Sequence, residues 1–227
     1  MAKKGRVIAV VGFTGSGKDY TAARIAEERK GFTHIDLTFK TFAEREGFKD
    51  VLEFQKVVSN AKNGIFNDES HRKFANFDFV FDAELIKTVQ FELDNGNNVV
   101  LSTWLGPWLD IVSEKLVELG MLDKALSIDF KVFLEAPLEM RAERIMDGRT
   151  DAKGTLDDNI KYVQQKDQNN FGRYIAVYDI DIQDPSGFDL IIDTAEYDDT
   201  KQKFVNLDVI ADILEAFDGK CNSSDEN

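Results

Sequence analysis

A run of small and cationic residues near the N-terminus has the composition of an anion-binding loop. The run reads Gly12, Phe13, Thr14, Gly15, Ser16, Gly17 and Lys18. It follows the apolar residues Val7 to Val11, which predict a buried strand, and it leads into residues that favour a helix. Glycines allow the backbone to turn with its N–H groups facing inward, and Lys18 adds a mobile positive charge. This run, the phosphate loop, is therefore predicted to bind the phosphates of a nucleoside triphosphate; a glycine-rich turn without a ligand is the alternative.

The residues after the lysine depart from the usual form of this motif. The usual pattern is G-x-x-x-x-G-K-[ST], in which the final hydroxyl group helps to hold Mg²⁺. Here Asp19 and Tyr20 follow Lys18, and the first aliphatic hydroxyl group belongs to Thr21. A carboxylate in the first turn of a helix is favoured by the helix dipole, but it repels a phosphate unless a metal ion lies between them. We therefore predict that Asp19 helps to bind Mg²⁺, with a plain N-terminal helix carboxylate as the alternative, and we assign Tyr20 to the same nucleotide site.

Two groups of cations occur in the second half of the chain. In the first, Arg141 and Arg144 are one helical turn apart, and Arg149 lies where the helix runs into a loop. A single arginine of this kind is more often a solvated surface charge. As a set downstream of a phosphate loop, the three arginines predict phosphate clamps.

The second group lies near the end of a predicted helix and combines Lys166, Asn170 and Arg173. Residues separated by four and seven positions share one face of a helix. Two cations and an amide on one face suit a phosphorylated sugar. A solvated face is again the alternative for each residue taken singly.

Apolar runs and helical patterns alternate along the chain. The predicted strands are 6–11, 98–101, 130–134 and 190–192, with a weaker candidate at 33–37. The predicted helices are 18–30, 105–119, 138–146, 156–177 and 207–217. Near-continuous aliphatic strands indicate a parallel sheet that is covered on both faces. The sequence therefore predicts an α/β protein with three layers, α/β/α, around five parallel strands.

Two segments exceed what a minimal alternation of strands and helices needs. The first, 34–97, predicts a helical insertion in which Asp78 and Asp82 share a face, and a solvated face is favoured over contact with a ligand. The second, 147–173, is polar and predicts a mobile lid, with an exposed loop followed by a solvated helix as the alternative. We expect one domain over 1–218 that includes both segments, and a disordered tail over 219–227.

The composition limits the classes of partner. The chain has 227 residues and a formal net charge of −14, which argues against nucleic acid or an anionic membrane as a partner. No stretch approaches the ~20 apolar residues of a membrane span. The single cysteine, Cys221, offers no disulfide framework, which fits a reducing cytoplasm. The sequence leaves the oligomeric state open, with a monomer slightly favoured.

Longer stretches of the second half resemble a known family. The stretch from Val132 to Ile145 resembles the fourth strand and the start of the lid in the P-loop nucleoside monophosphate kinases. The stretch from Lys166 to Arg173 resembles the archaeal type of cytidylate kinase, with Lys-Asp-x-x-Asn-x-x-Arg where that family has Arg-Asp-x-x-Asp-x-x-Arg. The resemblance is clear over 6–30 and 128–194 and loose over 34–110. It implies the P-loop kinase fold, with 34–97 as the acceptor-binding insertion and 147–173 as the lid.

The resemblance also implies an activity and the residues on the ATP side. The expected reaction is transfer of a phosphoryl group from ATP, with Mg²⁺, to a nucleoside monophosphate, with CMP and dCMP as the leading acceptors. Lys18 would stabilise the transferring phosphoryl group, and Arg144 and Arg149 would close over the triphosphate. Phosphoryl transfer depends on positioning and on cations more than on covalent chemistry, so these are suitable residue types.

On the acceptor side, the resemblance implies that Arg173 and Lys40 hold the monophosphate and that Lys166 and Asn170 lie at the sugar. The chain departs from the family after the third strand, where Ser102 replaces an acidic residue and Trp104 replaces an arginine. Trp104 either stacks on a base or fills the core, and the core is slightly favoured. These departures leave two alternatives open. One is a P-loop kinase for another nucleotide or a small phosphate ester, and the other is a weakly active nucleotide-binding regulatory protein.

Overall fold

Five parallel strands form the centre of the fold. The computed structural model describes residues 5–49, 51–66, 68–148, 154–195 and 207–225. The strands are β1 (Val7–Gly12), β2 (Phe32–Ile35), β3 (Asn98–Thr103), β4 (Phe130–Glu135) and β5 (Leu190–Asp193). Their order across the sheet is β2-β3-β1-β4-β5, and every pairing is parallel. The predicted α/β architecture is confirmed, and so is the weak candidate strand near Thr33.

Helices cover both faces of this sheet. They are α1 (Lys18–Glu28), α2 (Phe39–Arg45), α3 (Val51–Lys62), α4 (Phe77–Asp94), α5 (Leu109–Glu118), α6 (Leu138–Gly148), α7 (Leu156–Tyr178) and α8 (Leu207–Asp225). Short 3₁₀ helices occur at Glu69–Asn76, Gly106–Trp108 and Pro185–Gly187. No helix within the described ranges has both the length and the apolar character needed to cross a membrane.

The central strand β1 shows why its sequence is apolar at every position. Val7 and Ala9 pack into the core on the side of α4, α5 and α7, whereas Ile8 and Val10 pack into the core on the side of α1 and α8. Successive side chains of a strand point to opposite faces, so a strand with helices on both sides needs apolar residues throughout. The carboxyl end of β1 leads into the phosphate loop, which places that loop at the carboxyl edge of the sheet.

Helices α2, α3 and α4 form the predicted helical insertion between β2 and β3. A separate cluster of aromatic residues holds them together, with Phe42, Phe54, Phe74 and Phe77 buried at its centre. Phe54 and Phe77 meet edge to face with their ring centroids 5.3 Å apart. The insertion therefore has its own small core beside the sheet.

Helix α8 continues to Asp225, whereas the sequence predicted a disordered tail from residue 219. Two contacts account for the longer helix. Cys221 packs against the core on the side of α1 and α8. Lys220 Nζ donates a hydrogen bond to Asp189 Oδ1 at 2.8 Å, which anchors the last turns beside β5.

Candidate active site

The phosphate loop has the strand–loop–helix setting that the sequence predicted. Gly15 and Gly17 adopt left-handed backbone conformations, with φ of 82° and 94°. Gly17 precedes α1 without a side-chain cap on its N-terminus. The amide groups at this helix end are therefore available to an anion, and the two glycines are the residues that make the turn possible.

Three hydroxyl groups in and after this loop are buried without a hydrogen-bond partner among the described residues. They belong to Thr14, Ser16 and Thr21. Buried polar groups in folded proteins are nearly always paired, so each such group calls for a specific explanation. A bound phosphate or hydrated metal ion would supply polar partners at this position, which fits the ligand that the sequence predicted.

Lys18 and Asp19 differ in their exposure. The Lys18 side chain is largely buried and its Nζ lies 3.7 Å from Asp19 Oδ2, whereas the Asp19 side chain is 61% exposed. Asp19 thus stands at the open edge of the loop, where a metal ion carried by a phosphate group can reach it. Tyr20 packs against the core on the side of α1 and α8, which leaves its assignment to the nucleotide site as a prediction.

Arg144 links the phosphate loop to Thr194, the residue that follows the edge strand β5. Its Nη1 donates to Ser16 O at 3.3 Å and to Thr194 Oγ1 at 2.9 Å. Thr194 in turn donates to Glu135 O at 2.8 Å. Arg144 therefore contacts the phosphate loop, and its closing over the triphosphate stays a prediction. Arg149 falls outside the described residues, between the end of α6 and the start of α7.

Arg141 is not directed at an open phosphate site, which corrects the expectation that it acts as a phosphate clamp. Its Nη1 donates to Thr14 O at 3.0 Å and to Asp167 Oδ2 at 2.7 Å, and its Nε donates to Ala136 O at 3.2 Å. Thr14 N donates to the other oxygen of Asp167 at 3.0 Å. The Nε and Nη1 of this guanidinium group are thus bound to protein acceptors beside the loop.

Sequence reasoning did not single out Asp167, although a signal was present. Asp167 stands four residues after Val163 and four before Phe171, and all three are buried on α7. A carboxylate on the apolar face of a helix requires a buried partner. That partner is Arg141, 26 residues earlier.

Trp104 follows β3 and forms one wall beside the loop. Its ring stacks on Phe13 with the centroids 6.0 Å apart and 25° between the planes, and it meets Phe171 at 6.5 Å. Lys18 Nζ lies 5.4 Å from the centroid of the Trp104 ring. Trp104 is partly buried against the core, so its packing accounts for much of its surface.

The predicted acceptor residues on α7 occupy a partly buried face. Asn170 donates its side-chain amide to Lys166 O at 2.9 Å, and Lys166 Nζ lies 3.5 Å from Tyr162 Oη. Arg173 Nε donates to Asp78 Oδ1 at 2.7 Å, which ties α7 to the helical insertion. Lys40 belongs to α2, but its side chain lies outside what the structure describes.

Asp78 and Asp82 are buried, not solvated as the sequence favoured, with exposures of 3% and 2%. Asp78 pairs with Lys62 as well as with Arg173. Asp82 accepts a hydrogen bond from Tyr178 at 2.6 Å. Burial raises the pKa of the Asp82 carboxyl group to about 6, against the opposing effects of Arg173 and of the Tyr178 hydrogen bond. This buried polar cluster joins α4 to α7.

A metal ion would find few preformed ligands here. In the parts of the chain that the structure describes, no three His, Cys, Asp or Glu side chains converge in a way that could hold one. Mg²⁺ is commonly held by one or two carboxylates together with substrate phosphates and water. The single carboxylate of Asp19 at the rim of the loop fits that mode of binding.

Comparison with known proteins finds similar kinases, both by sequence and by structure. A sequence model of the Cytidylate kinase-like family matches residues 121–196. The cytidylate kinase of Pyrococcus furiosus is 30% identical over 199 residues, covering 87% of this chain and 84% of the relative. That of Methanocaldococcus jannaschii is 28% identical over 194 residues, covering 85% and 90%. Among solved structures, a shikimate kinase from Bacteroides thetaiotaomicron superposes with a TM-score of 0.51 at 16% identity, over 94% of this chain and 98% of that one, which shows a shared fold.

Proposed function

The chain belongs to the cytidylate kinase-like family, and on that premise we propose that it transfers the γ-phosphoryl group of ATP to CMP or dCMP, giving ADP and the nucleoside diphosphate. It is a P-loop kinase of the nucleoside monophosphate type. The observation that carries the proposal is the phosphate loop itself, with its left-handed glycines, its buried hydroxyl groups without partners and the largely buried Lys18. These features suit a triphosphate whose outer phosphoryl group is to be transferred.

On the ATP side, the loop amides at the N-terminus of α1 would hold the phosphates, and Lys18 would offset the negative charge that spreads over the transferring group. Arg144 holds the backbone of Ser16 and so supports the loop from the side of β5. We propose that Arg149, as a lid arginine within 147–173, also offsets the negative charge on the transferring group.

Mg²⁺ would neutralise phosphate charge during the transfer, and Asp19 is the residue that we propose to hold it. The exposed carboxylate of Asp19 lies at the rim of the phosphate loop. Thr21 Oγ1 is buried without a partner among the described residues and lies one turn into the same helix.

On the acceptor side, we propose that Arg173 and Lys40 hold the monophosphate and that Lys166, Asn170 and Trp104 shape the sugar and base site. The insertion 34–97 would then bind the acceptor. Its contact with α7 supports this arrangement, because Asp78 on α4 contacts both the Nε and the Nη2 of Arg173 and so holds the guanidinium group in place.

Another acceptor, either a different nucleotide or a small phosphate ester, is the second candidate. It is favoured by Asn170, one of whose two amide N–H groups is already used within α7. An amide also cannot offer a ribose hydroxyl group the anionic acceptor that a carboxylate offers. A regulatory protein with weak turnover is the third candidate.

An assay of ADP release with ATP and Mg²⁺, run across CMP, dCMP, UMP, AMP, GMP and dTMP, separates these candidates. We expect turnover that depends on CMP or dCMP. Turnover with a different acceptor would support the second candidate, and turnover with none of the six would contradict a monophosphate kinase.

The assay has a matched pair of lysine variants. Lys18→Met should abolish turnover, because the charge of Lys18 stabilises bound phosphate. The melting temperature should stay close to that of the unmodified protein. Lys87→Met removes an exposed lysine of α4 and should leave the rate unchanged.

A further inference from the structure

A buried ion pair between α6 and α7 forms hydrogen bonds with the backbone of the phosphate loop. Arg141 and Asp167 are 9% and 5% exposed, and their Nη1 and Oδ2 atoms are 2.7 Å apart. We propose that these two side chains are positioning residues, which hold the loop in its triphosphate-binding conformation and balance charge beside it. The inference rests on the proposed function, because it concerns how the same site binds ATP.

The contacts fix one peptide unit after another around Thr14. The N–H of Thr14 donates to Asp167 Oδ1 at 3.0 Å, and its C=O accepts from Arg141 Nη1 at 3.0 Å. Both backbone polar groups of Thr14 are therefore occupied by side chains from other elements. Thr14 immediately precedes Gly15, the first of the two left-handed glycines, so the grip acts where the loop turns towards the phosphates.

The backbone of Arg141 also limits the loop. A Cβ atom at Gly15 would lie only 2.4 Å from Arg141 O. The same residue of α6 thus holds the loop through its guanidinium group on one side and leaves room only for glycine on the other. The ring of Phe13 lies 5.7 Å from the Arg141 guanidinium carbon, which completes the packing.

Charge balance explains why two ionised groups are buried here. A lone carboxylate at Asp167 would place a negative charge beside a loop that must bind a triphosphate, and the burial of Asp167 would leave that charge weakly screened. Arg141 neutralises that charge within hydrogen-bond distance. The pair therefore holds the loop without repelling the ligand, which Asp167 could not do alone.

Helices α6 and α7 do not need the ion pair in order to pack. Ala142, Ile145 and Val163 form a separate apolar cluster between them and are essentially fully buried. Removing the pair should therefore leave the two helices together, so that an effect on the loop can be measured in a folded protein.

Three variants test the proposal: Asp167→Asn, Arg141→Met and the two combined. For each we would measure the Kd of ADP with Mg²⁺ by calorimetry, kcat, the KM of ATP and of CMP, and the melting temperature. Arg141→Met leaves a buried carboxylate unpaired at the loop, so we expect the Kd of ADP and the KM of ATP to rise about tenfold or more. The KM of CMP should change by less than about twofold.

The other two variants test whether the unpaired negative charge of Asp167 is what weakens ADP binding. Asp167→Asn keeps an acceptor for Thr14 N and removes the negative charge, so its effect should be smaller than that of Arg141→Met. The double variant should bind ADP more tightly than Arg141→Met alone, because the unpaired carboxylate is gone. Lys131→Met is the control, since it breaks an ion pair with Asp110 away from the loop and should leave the Kd of ADP unchanged.

The proposal is overturned if the melting temperature falls while the Kd of ADP stays the same, or if the KM values of ATP and CMP rise together. It is also overturned if the double variant binds ADP no better than Arg141→Met. Should Arg141→Met not fold, Arg141→Lys keeps the charge but cannot reach all three of its acceptors, and an ADP affinity equal to that of the unmodified protein would then contradict the proposal. Calorimetry with ADP needs no acceptor, so a failure of the CMP kinase assignment would be seen separately in the turnover assay.

Discussion

The ammonium nitrogen of Lys18 lies 5.4 Å from the centroid of the Trp104 ring. This contact joins the cation of the phosphate loop to the residue that follows β3, at the position where the sequence resemblance implies an arginine. The indole ring also stacks on Phe13 within the loop. Trp104 thus contacts the phosphate loop, and its π face is placed to hold Lys18 in position.

Substitutions at Trp104 should separate its two possible roles. Trp104→Phe keeps an aromatic face and should change kcat by less than about threefold. Trp104→Ala removes the cation–π contact, worth about 0.5–2 kcal/mol, and should lower kcat by about threefold to thirtyfold. The measurement is steady-state kinetics with both substrates varied, with the melting temperature as the check on folding. A rise in the KM of CMP at unchanged kcat would show instead that Trp104 stacks on the base.

Asp82 should make the stability of the protein depend on pH. Its pKa is raised to about 6 in the folded protein from the ordinary 3.8, mainly by burial. The folded state thus keeps a proton that the unfolded state loses, so the contribution of Asp82 is full below about pH 4 and declines as the pH rises towards 6. The shift corresponds to about 3 kcal/mol. Arg173, Asp78, Lys62 and Tyr178 surround the carboxyl group and are included in this balance.

The measurement is the free energy of unfolding of Asp82→Asn and of the unmodified protein between pH 4 and pH 8. Asparagine keeps an acceptor for Tyr178 and cannot ionise. The variant should therefore gain stability relative to the unmodified protein as the pH rises to about 6, and the difference should be constant above it. Asp123→Asn, an exposed aspartate, is the control and should show little pH-dependent difference. A flat difference for Asp82→Asn would mean that the carboxyl group titrates normally.

The sheet could be predicted from sequence because the central strands β1, β3 and β4 are mostly buried and therefore carry near-continuous apolar runs. The site residues that sequence reasoning missed depend instead on contacts with elements that are distant in the chain. Periodicity places Asp167 on the apolar face of α7, but nothing in the sequence shows that Arg141 lies opposite it. Asp78 and Asp82 share a face of α4 with Leu85, and charged and apolar residues are spread around this helix, so its sequence did not reveal which face is solvated.

Whether such a polar side chain is buried or solvated depends on its partners in distant elements of the chain. Arg173 and Tyr178, the partners of the two aspartates, are 95 and 96 residues away in the chain. The same limit applies to Trp104, whose contact with Lys18 depends on β1 and β3 being neighbours in the sheet. The identity of the phosphate loop was predictable since it depends only on a local run of residues. The supports of the loop were not, since they come from two helices that follow it by more than 120 residues.

Gly15→Ala should weaken ADP binding by more than a left-handed backbone alone explains. Alanine at φ 82° costs about 1–2 kcal/mol, and its methyl group would also meet Arg141 O. Gly96→Ala is the matched control, because Gly96 has φ of 84° and nothing within 4 Å of the added carbon. Both variants should melt at a lower temperature, and only Gly15→Ala should raise the Kd of ADP, as measured by calorimetry. Equal ADP affinities would show that the loop does not need the close approach of α6.

Asp19→Ser restores the hydroxyl group of the usual motif and tests the metal role of Asp19. The carboxylate lies at the rim of the loop, 3.7 Å from the charge of Lys18. Without Mg²⁺, a carboxylate there repels the phosphates, so Asp19→Ser should bind ADP more tightly than the unmodified protein in EDTA. With Mg²⁺, a carboxylate that holds the metal is favourable, so the unmodified protein should bind ADP more tightly and should reach half-maximal rate at about tenfold lower Mg²⁺.

The sign of the effect therefore reverses with the metal, and this reversal distinguishes a metal ligand from a helix-capping carboxylate. A capping role would act through the dipole of α1 and would lower the melting temperature of Asp19→Ser by a similar amount with and without Mg²⁺. Asp123→Ser makes the same change of net charge at an exposed position outside the site and should alter neither affinity. If Asp19→Ser keeps the Mg²⁺ dependence and the rate of the unmodified protein, Asp19 is not a metal ligand, and the metal must then be held by the phosphates and hydroxyl groups of the loop.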